Sequence, residues 1–256
     1  MIQQRVDTIE RYFKLVNKFN IISVVLFWSS IFLSIVLLFL DKVEGIKYGI
    51  SIAFIIITFV YFIVSNILSL YLLRNAQNRR RTHLLRNSLH VQLDNERTQL
   101  YYNNDQAPSI GKLGINTFEN SLFTWRVTAN MVKVERVKVC VYLIIWLSAM
   151  LIRTTNLDLI AIIAQTLLTT GLLTNWIKLE ILKRECECIF NEFRQFFLMN
   201  RQTIDEHMQG LILNLVFRYE SIVANMGVHL SSKVFHKINP YVTEEWEEIK
   251  QGLNIE

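Results

Sequence analysis

Two stretches of the chain, Phe19 to Leu40 and Tyr48 to Leu73, contain no charged residue. A helix needs about 20 apolar residues to cross a hydrocarbon core of roughly 30 Å, and each stretch is that long or longer. With 52% hydrophobic residues in a chain of 256, a soluble fold would have to hide more apolar surface than one core can hold, so the excess is expected to face lipid. The polar turn Asp41-Lys42-Val43-Glu44-Gly45-Ile46-Lys47 joins the two stretches into a hairpin. The first stretch begins at Phe19 and has full-span length, whereas the core of a cleaved signal peptide is shorter.

A further apolar stretch from Val139 to Ile177 is too long for one span and is broken by Arg153-Thr154-Thr155-Asn156-Leu157-Asp158, which reads as a second tight hairpin. Its first arm, Val139 to Ile152, is short, and Arg136 and Lys138 would have to snorkel toward the interface. A re-entrant segment is the alternative there. The chain has only two prolines and eight glycines, which disfavours turn-rich β structure and favours long helices.

Of the 27 Lys and Arg residues, only Lys42, Lys47 and Arg153 fall in the two short turns. The positive-inside rule therefore places the N-terminus, residues 74–138 and residues 178–256 in the cytoplasm. The expected architecture is an all-α membrane protein with four transmembrane helices in two hairpins and a cytoplasmic helical domain. Residues 1–73 hold the N-terminal helix and first hairpin, 74–138 a cytoplasmic insert, 139–177 the second hairpin and 178–256 a cytoplasmic helical tail. Both termini are expected inside, in a multi-pass protein of the bacterial inner membrane. Too little lies outside for a receptor of extracellular ligands.

Past the second span, Arg74 to Arg86 reads as the helix continuing out of the bilayer with a basic collar. Its arginines fit phosphate headgroups, and equally fit an anionic ligand, because guanidinium forks match phosphate geometry. Arg79, Arg80, Arg81 and Arg86 are the candidates. The stretch Asn95 to Ser109 is the least helical of the chain. Tyr101, Tyr102, Asn103 and Asn104, with Arg97 and Lys112 nearby, could stack on a base and hold its phosphate, although a loop pinned by buried tyrosines has the same composition.

Ser109 after Pro108 starts a helix on which Ile110, Leu113, Phe118, Leu122, Trp125 and Met131 recur at helical spacing. Its apolar side needs a cover, either the tail or another subunit. In the tail, Lys178 to Asn200 extends the fourth span, and Phe190, Phe193, Phe196 and Phe197 form an aromatic face that suits packing better than a ligand cage. A second helix is expected from Ile204 to Asn225, and a last one from Thr243 to Gly252, with Thr243 as its N-cap after Asn239-Pro240.

No zinc spacing, Gly-rich phosphate loop, nucleophile elbow or paired carboxylates occur, so the chain is expected to be no enzyme and to hold no metal or cofactor. The three cysteines imply no disulfide framework. Cys186 and Cys188, two positions apart, would point about 160° away from each other on a helix. Within the spans, Thr166, Thr170 and Thr174 recur every fourth residue on the fourth helix, with Gln165 and Thr169 on the adjacent row. Such a polar face tightens helix contacts in bilayers, or lines a water-filled pore when subunits assemble. No span holds a firmly intramembrane charge, and no inverted repeat aligns the hairpins, which weakens a small-transporter reading.

With its paired hairpins, the insert ending in Phe118-Glu119-Asn120-Ser121-Leu122-Phe123-Thr124 and the tail stretch from Met208-Gln209 to Phe217-Arg218-Tyr219, the organisation resembles a group of small four-helix membrane effectors. These belong to bacterial anti-phage systems and are encoded beside a nucleotidyltransferase, including the SMODS-associating four-helix family and the Hailong type. The resemblance implies a homo-oligomer, and because four helices of one chain cannot enclose much of a channel, a tetramer is favoured. Its cytoplasmic domain would bind a nucleotide or oligonucleotide made by the partner nucleotidyltransferase, and its spans would form an ion-conducting pore that depolarises the infected cell and arrests growth. A membrane-anchored scaffold that docks a cytoplasmic protein is the main alternative.

Overall fold

The computed structural model of the chain describes residues 6–7, 10–39, 44–93, 98–99, 106–151, 172–199 and 205–255. It is helical apart from one short antiparallel bridge pair, β1 (Val6–Asp7) and β2 (Thr98–Gln99), in which Val6 faces Gln99 and Asp7 faces Thr98. The helices are α1 (Glu10–Phe39), α2 (Glu44–Asn66), α3 (Leu73–Leu89), α4 (Ile110–Leu151), α5 (Leu172–Met199), α6 (Glu206–Met226) and α7 (Ser232–Leu253). A π-helical segment, Ile67–Leu72, connects α2 to α3 without a break. The chain divides into two compact units: Met1–Phe13, Arg74–Lys133 and Lys178–Glu256 form one, and Lys14–Leu73 and Val134–Ile177 the other.

The second of these units is apolar on its outside. Ile21, Phe32, Phe59 and Phe62 are each more than 60% exposed, an uncovered apolar surface of the kind that marks a contact with a membrane or with another protein. Two helical stretches, Glu10–Ser34 and Gly45–Leu89, are long and apolar enough to cross a membrane. Polar side chains on these helices turn back onto their own backbone: Ser30 Oγ donates to the Phe27 carbonyl at 2.8 Å, Ser51 Oγ to Lys47 at 2.8 Å and Asn66 Nδ2 to Phe62 at 2.8 Å. A hydroxyl or amide satisfied in this way needs no water, which suits an apolar surrounding.

The other unit has an ordinary core. Phe118, fully buried in the third turn of α4, has Phe190 at 5.0 Å, Phe193 and Phe197 at 5.8 Å and Trp246 edge-on at 5.1 Å between ring centroids. The aromatic face of α5 is thus packing, and the apolar side of α4 is covered by the tail. Removing a phenylalanine from such a site costs about 3–5 kcal/mol, through lost transfer energy and the cavity left behind. Leu182, Ile189, Ile212 and Leu113 complete the same cluster.

Helix ends follow their sequence signals. Asp205 caps α6 by accepting from the Met208 amide at 2.8 Å, and Gly227 ends it with φ of 55°. Ser109 caps α4 through the Lys112 amide at 3.1 Å. The last helix departs from the expected start at Thr243. It begins at Ser232, capped by Ser231, and continues through Pro240. Proline lacks an N–H, so one internal hydrogen bond is lost, but Val242 and Trp246 on one side and the cap at Ser231 on the other hold the helix together across it.

Candidate functional site

Arg79, Arg80 and Arg81 are consecutive on α3 and project about 100° apart around the helix, with Arg80 and Arg81 reaching one carboxylate and Arg79 turned to an aromatic ring. Arg80 turns into the folded unit. Its Nη2 donates to both carboxylate oxygens of Glu220 on α6, at 2.9 and 2.8 Å, and its guanidinium lies 5.7 Å from the Tyr219 ring centroid. Arg81 donates through Nε to Glu220 Oε2 at 3.1 Å and through Nη2 to the Glu220 carbonyl at 3.3 Å. Arg79 sits over the Tyr12 ring at 5.5 Å.

The Glu220 side chain is 8% exposed and that of Arg80 14%. A carboxylate withdrawn from water to that degree is tolerable only with strong partners, and it has a two-oxygen contact from one guanidinium and a second guanidinium beside it. Tyr219 is fully enclosed next to them. Its hydroxyl bonds Thr124 Oγ1 at 2.8 Å and donates to the Asn120 carbonyl at 3.3 Å. Burial pushes the pKa of the phenol well above its ordinary value, against the opposing effect of Arg80. Cys186, also buried here, is pushed up to about 12 by burial, with Arg80 opposing. Both groups are therefore neutral at physiological pH.

A second polar cluster joins the end of α3 to the start of α4. Asn116 Nδ2 donates to Ser88 Oγ at 2.8 Å and to Asn87 Oδ1 at 3.1 Å, and the Ser109 amide donates to the Ser88 carbonyl at 3.0 Å. Lys112, one turn from this cluster, donates from Nζ to the Gln106 carbonyl at 2.7 Å. Arg86 is half-buried on the same helix as Asn87 and Ser88.

Of the residues expected to hold a ligand, Arg79, Arg80, Arg81 and Arg86 thus share α3, and Lys112 lies on the first turn of α4. Arg80 and Arg81 face Glu220. Arg97, Tyr101, Tyr102, Asn103 and Asn104 lie outside the described residues, as do Gln165, Thr166, Thr169 and Thr170 of the expected pore face. Thr174, at the start of α5, is exposed.

The sequence reading missed Glu220 as the partner of Arg80 and Arg81 and, separately, the cluster of Asn87, Ser88 and Asn116. Glu220 carried a signal: it is an acidic residue on the same side of α6 as Ile212, Leu215, Val216 and Tyr219, so a helical-wheel reading would bury it and demand a cation.

Elsewhere the unit is tied by ion pairs nearer its surface. Arg126 pairs with Glu245 and stacks 4.0 Å above the Trp125 ring, and Arg218 donates to both oxygens of Glu192 at 2.8 and 2.9 Å. Among the described residues no three His, Cys, Asp or Glu side chains converge as a metal site would require. In comparison with protein families, curated proteins and solved structures, nothing matches the chain.

Proposed function

We propose that this protein is an oligomeric membrane effector of anti-phage defence, in which a cytoplasmic helical unit binds a nucleotide or oligonucleotide and so controls an ion-conducting pore formed by four transmembrane helices per subunit. Conduction would depolarise the infected cell and stop its growth. Both termini lie in the cytoplasm of a bacterial inner-membrane protein, and the nucleotide comes from a partner nucleotidyltransferase. Arg79, Arg86 and Lys112 with the tyrosines and asparagines of 101–104 contact the ligand, and Arg80 and Arg81 hold the adjoining framework on Glu220. Gln165, Thr166, Thr169, Thr170 and Thr174 line the pore.

The observation that carries this reading is continuity of helix. The stretch from Glu44 to Leu89 and the single helix α4, 42 residues long, each run unbroken between an uncovered apolar segment and the buried core of the other unit. At about 1.5 Å per residue α4 extends roughly 63 Å, twice the hydrocarbon thickness. A ligand that favours one of two packings among α3, α4 and α6 would bias the membrane helices through the same backbone.

A scaffold that docks a partner protein is the second reading, favoured by the engagement of Arg80 and Arg81 with Glu220. Planar-bilayer recording of the wild type beside a Thr166→Ala, Thr170→Ala, Thr174→Ala variant separates the two. A pore requires currents in the wild type that the triple variant reduces at unchanged oligomer size, whereas an anchored scaffold conducts in neither.

A further inference from the structure

Residues 1–13 carry no motif, and nothing in their composition draws them to a site. The fold brings them to one. Val6–Asp7 pairs antiparallel with Thr98–Gln99, which in sequence directly follows Arg97 and stands two residues before Tyr101. A few residues further on, at the start of α1, the Tyr12 ring meets the middle of α3.

Two guanidiniums converge on that ring. Arg11 of α1 lies 4.9 Å from its centroid and Arg79 of α3 5.5 Å, so the two charges are no farther apart than the sum of those distances, about 10.4 Å. Arg11 Nη2 also donates to the Tyr12 hydroxyl at 3.1 Å. Both arginines are exposed. Arg80 and Arg81 bond the carboxylate of Glu220, whereas among the described residues no carboxylate pairs with Arg79, whose contact is the ring. Glu10, the acidic residue beside Arg11, projects about 100° from it around α1. Arg86, seven positions beyond Arg79, stands on the same side of α3. The N-terminal segment, α3 and the bridge at Thr98–Gln99 all belong to one compact unit.

We infer that Arg11 and Arg79, gathered at the Tyr12 ring, form a site for a phosphate group, and that the N-terminal segment is thereby part of the surface that takes the ligand. A ring face attracts a guanidinium but accepts none of its edge N–H donors in the geometry of a salt bridge, and those edges match phosphate oxygens two at a time. Like charges this close are only partly screened, the Debye length being about 8 Å at physiological ionic strength, so they repel until an anion lies between them. The phosphate of a nucleotide and that of a lipid headgroup share this chemistry, and α3 continues a stretch long enough to cross a membrane, so both sources reach the site. The inference rests on the nucleotide reading above only for the source of the phosphate, and the two can fail separately.

The full chain in nanodiscs of zwitterionic phosphatidylcholine is titrated calorimetrically with inorganic pyrophosphate. Arg11→Gln and Arg79→Gln are each expected to weaken binding at least tenfold with the helical circular-dichroism spectrum unchanged. Arg74→Gln, which removes the same charge from another exposed position of α3, is expected to weaken it less than twofold. Equal losses in all three would reduce the effect to net charge and overturn the site, and so would wild-type binding that Arg11→Gln leaves intact, an outcome that does not touch the nucleotide reading. No pyrophosphate binding by the wild type would also overturn it.

Native mass spectrometry from micelles containing phosphatidylglycerol, with and without a deoxyhexanucleotide, separates the sources. Hexanucleotide bound by the wild type and lost in both Arg11→Gln and Arg79→Gln supports the site with a nucleotide as its ligand. Phosphatidylglycerol retained by the wild type, lost in both variants and not displaced by the hexanucleotide supports the site with a lipid headgroup as its ligand, and the nucleotide reading then falls while the site stands.

Discussion

At the scale of single residues the carboxylate of Glu220 holds together α3 and α6. Replacing it by leucine would remove the carboxylate that accepts from both Arg80 and Arg81, and loss of one partner of a buried pair costs about 3–5 kcal/mol. The exposed share of Arg81, 37% of its side chain, makes that arginine worth much less, under about 1 kcal/mol. Denaturation of the two variants in detergent is expected to show Glu220→Leu strongly destabilised and Arg81→Met nearly normal; equal losses would mean that Arg81, not Arg80, carries the pair. The cysteines make a second comparison. Cys186 is fully buried and held as a thiol, whereas Cys188 is exposed. A maleimide should modify Cys188 in the folded protein and reach Cys186 only after denaturation, as peptide mass spectrometry can determine. The basic run at Arg79 to Arg81 was plain in the sequence. Its partner was not, because it stands 140 residues away from Arg80 and local charge patterns give no long-range pairing.

Among the elements, α4 is the one most constrained by its neighbours. Gly114→Ala raises intrinsic helix propensity by about 1 kcal/mol, yet its Cβ would sit 2.8 Å from Ile212 Cγ2, and overpacking of this kind costs about 1–3 kcal/mol. The variant is expected to unfold at a lower temperature than the wild type; a higher midpoint would show that α6 yields readily. The connection from α6 to α7 contributes a pH dependence. Burial holds the imidazole of His229 below its ordinary value, and its Nε2 is buried with no hydrogen-bond partner among the described residues. The unfolded chain therefore binds the proton more readily, so the stabilisation is complete above about pH 6.5 and is lost as the pH falls below it. Thermal unfolding at pH 7.5 and at pH 5.5 should show a drop that His229→Gln reduces, and an unchanged drop would place the sensitivity elsewhere. The helix start at Ser109 and the aromatic spacing of α5 were legible locally, whereas α6, expected from Ile204, starts after its cap at Asp205. The start of α7 was not legible, because Pro240 reads as a helix boundary and tertiary packing overrode it.

For the whole molecule, the distribution of charge and apolar residues already separated the chain into its two kinds of surface. The two units divide between Leu73 and Arg74 and between Ile177 and Lys178, where the sequence passes from apolar runs to basic ones. At Val134 the division precedes the apolar run beginning at Val139, because Arg136 and Lys138 lie on the same uninterrupted helix. Hydropathy marks such transitions because it is a property of segments, but it does not mark the division between Phe13 and Lys14, which falls inside the expected segment 1–73. The arrangement of α3, α4, α5, α6 and α7 around Phe118 depends on shape complementarity between distant side chains, which composition and periodicity do not encode. The central proposal is that the cytoplasmic unit gates an ion pathway. It is tested most directly by ion flux from liposomes carrying the purified protein at known orientation, with and without nucleotides and short oligonucleotides. A flux that changes at least tenfold with ligand, in either direction, is the expected result; a membrane that stays as tight as protein-free liposomes under every condition, with the protein shown to be inserted, would contradict it.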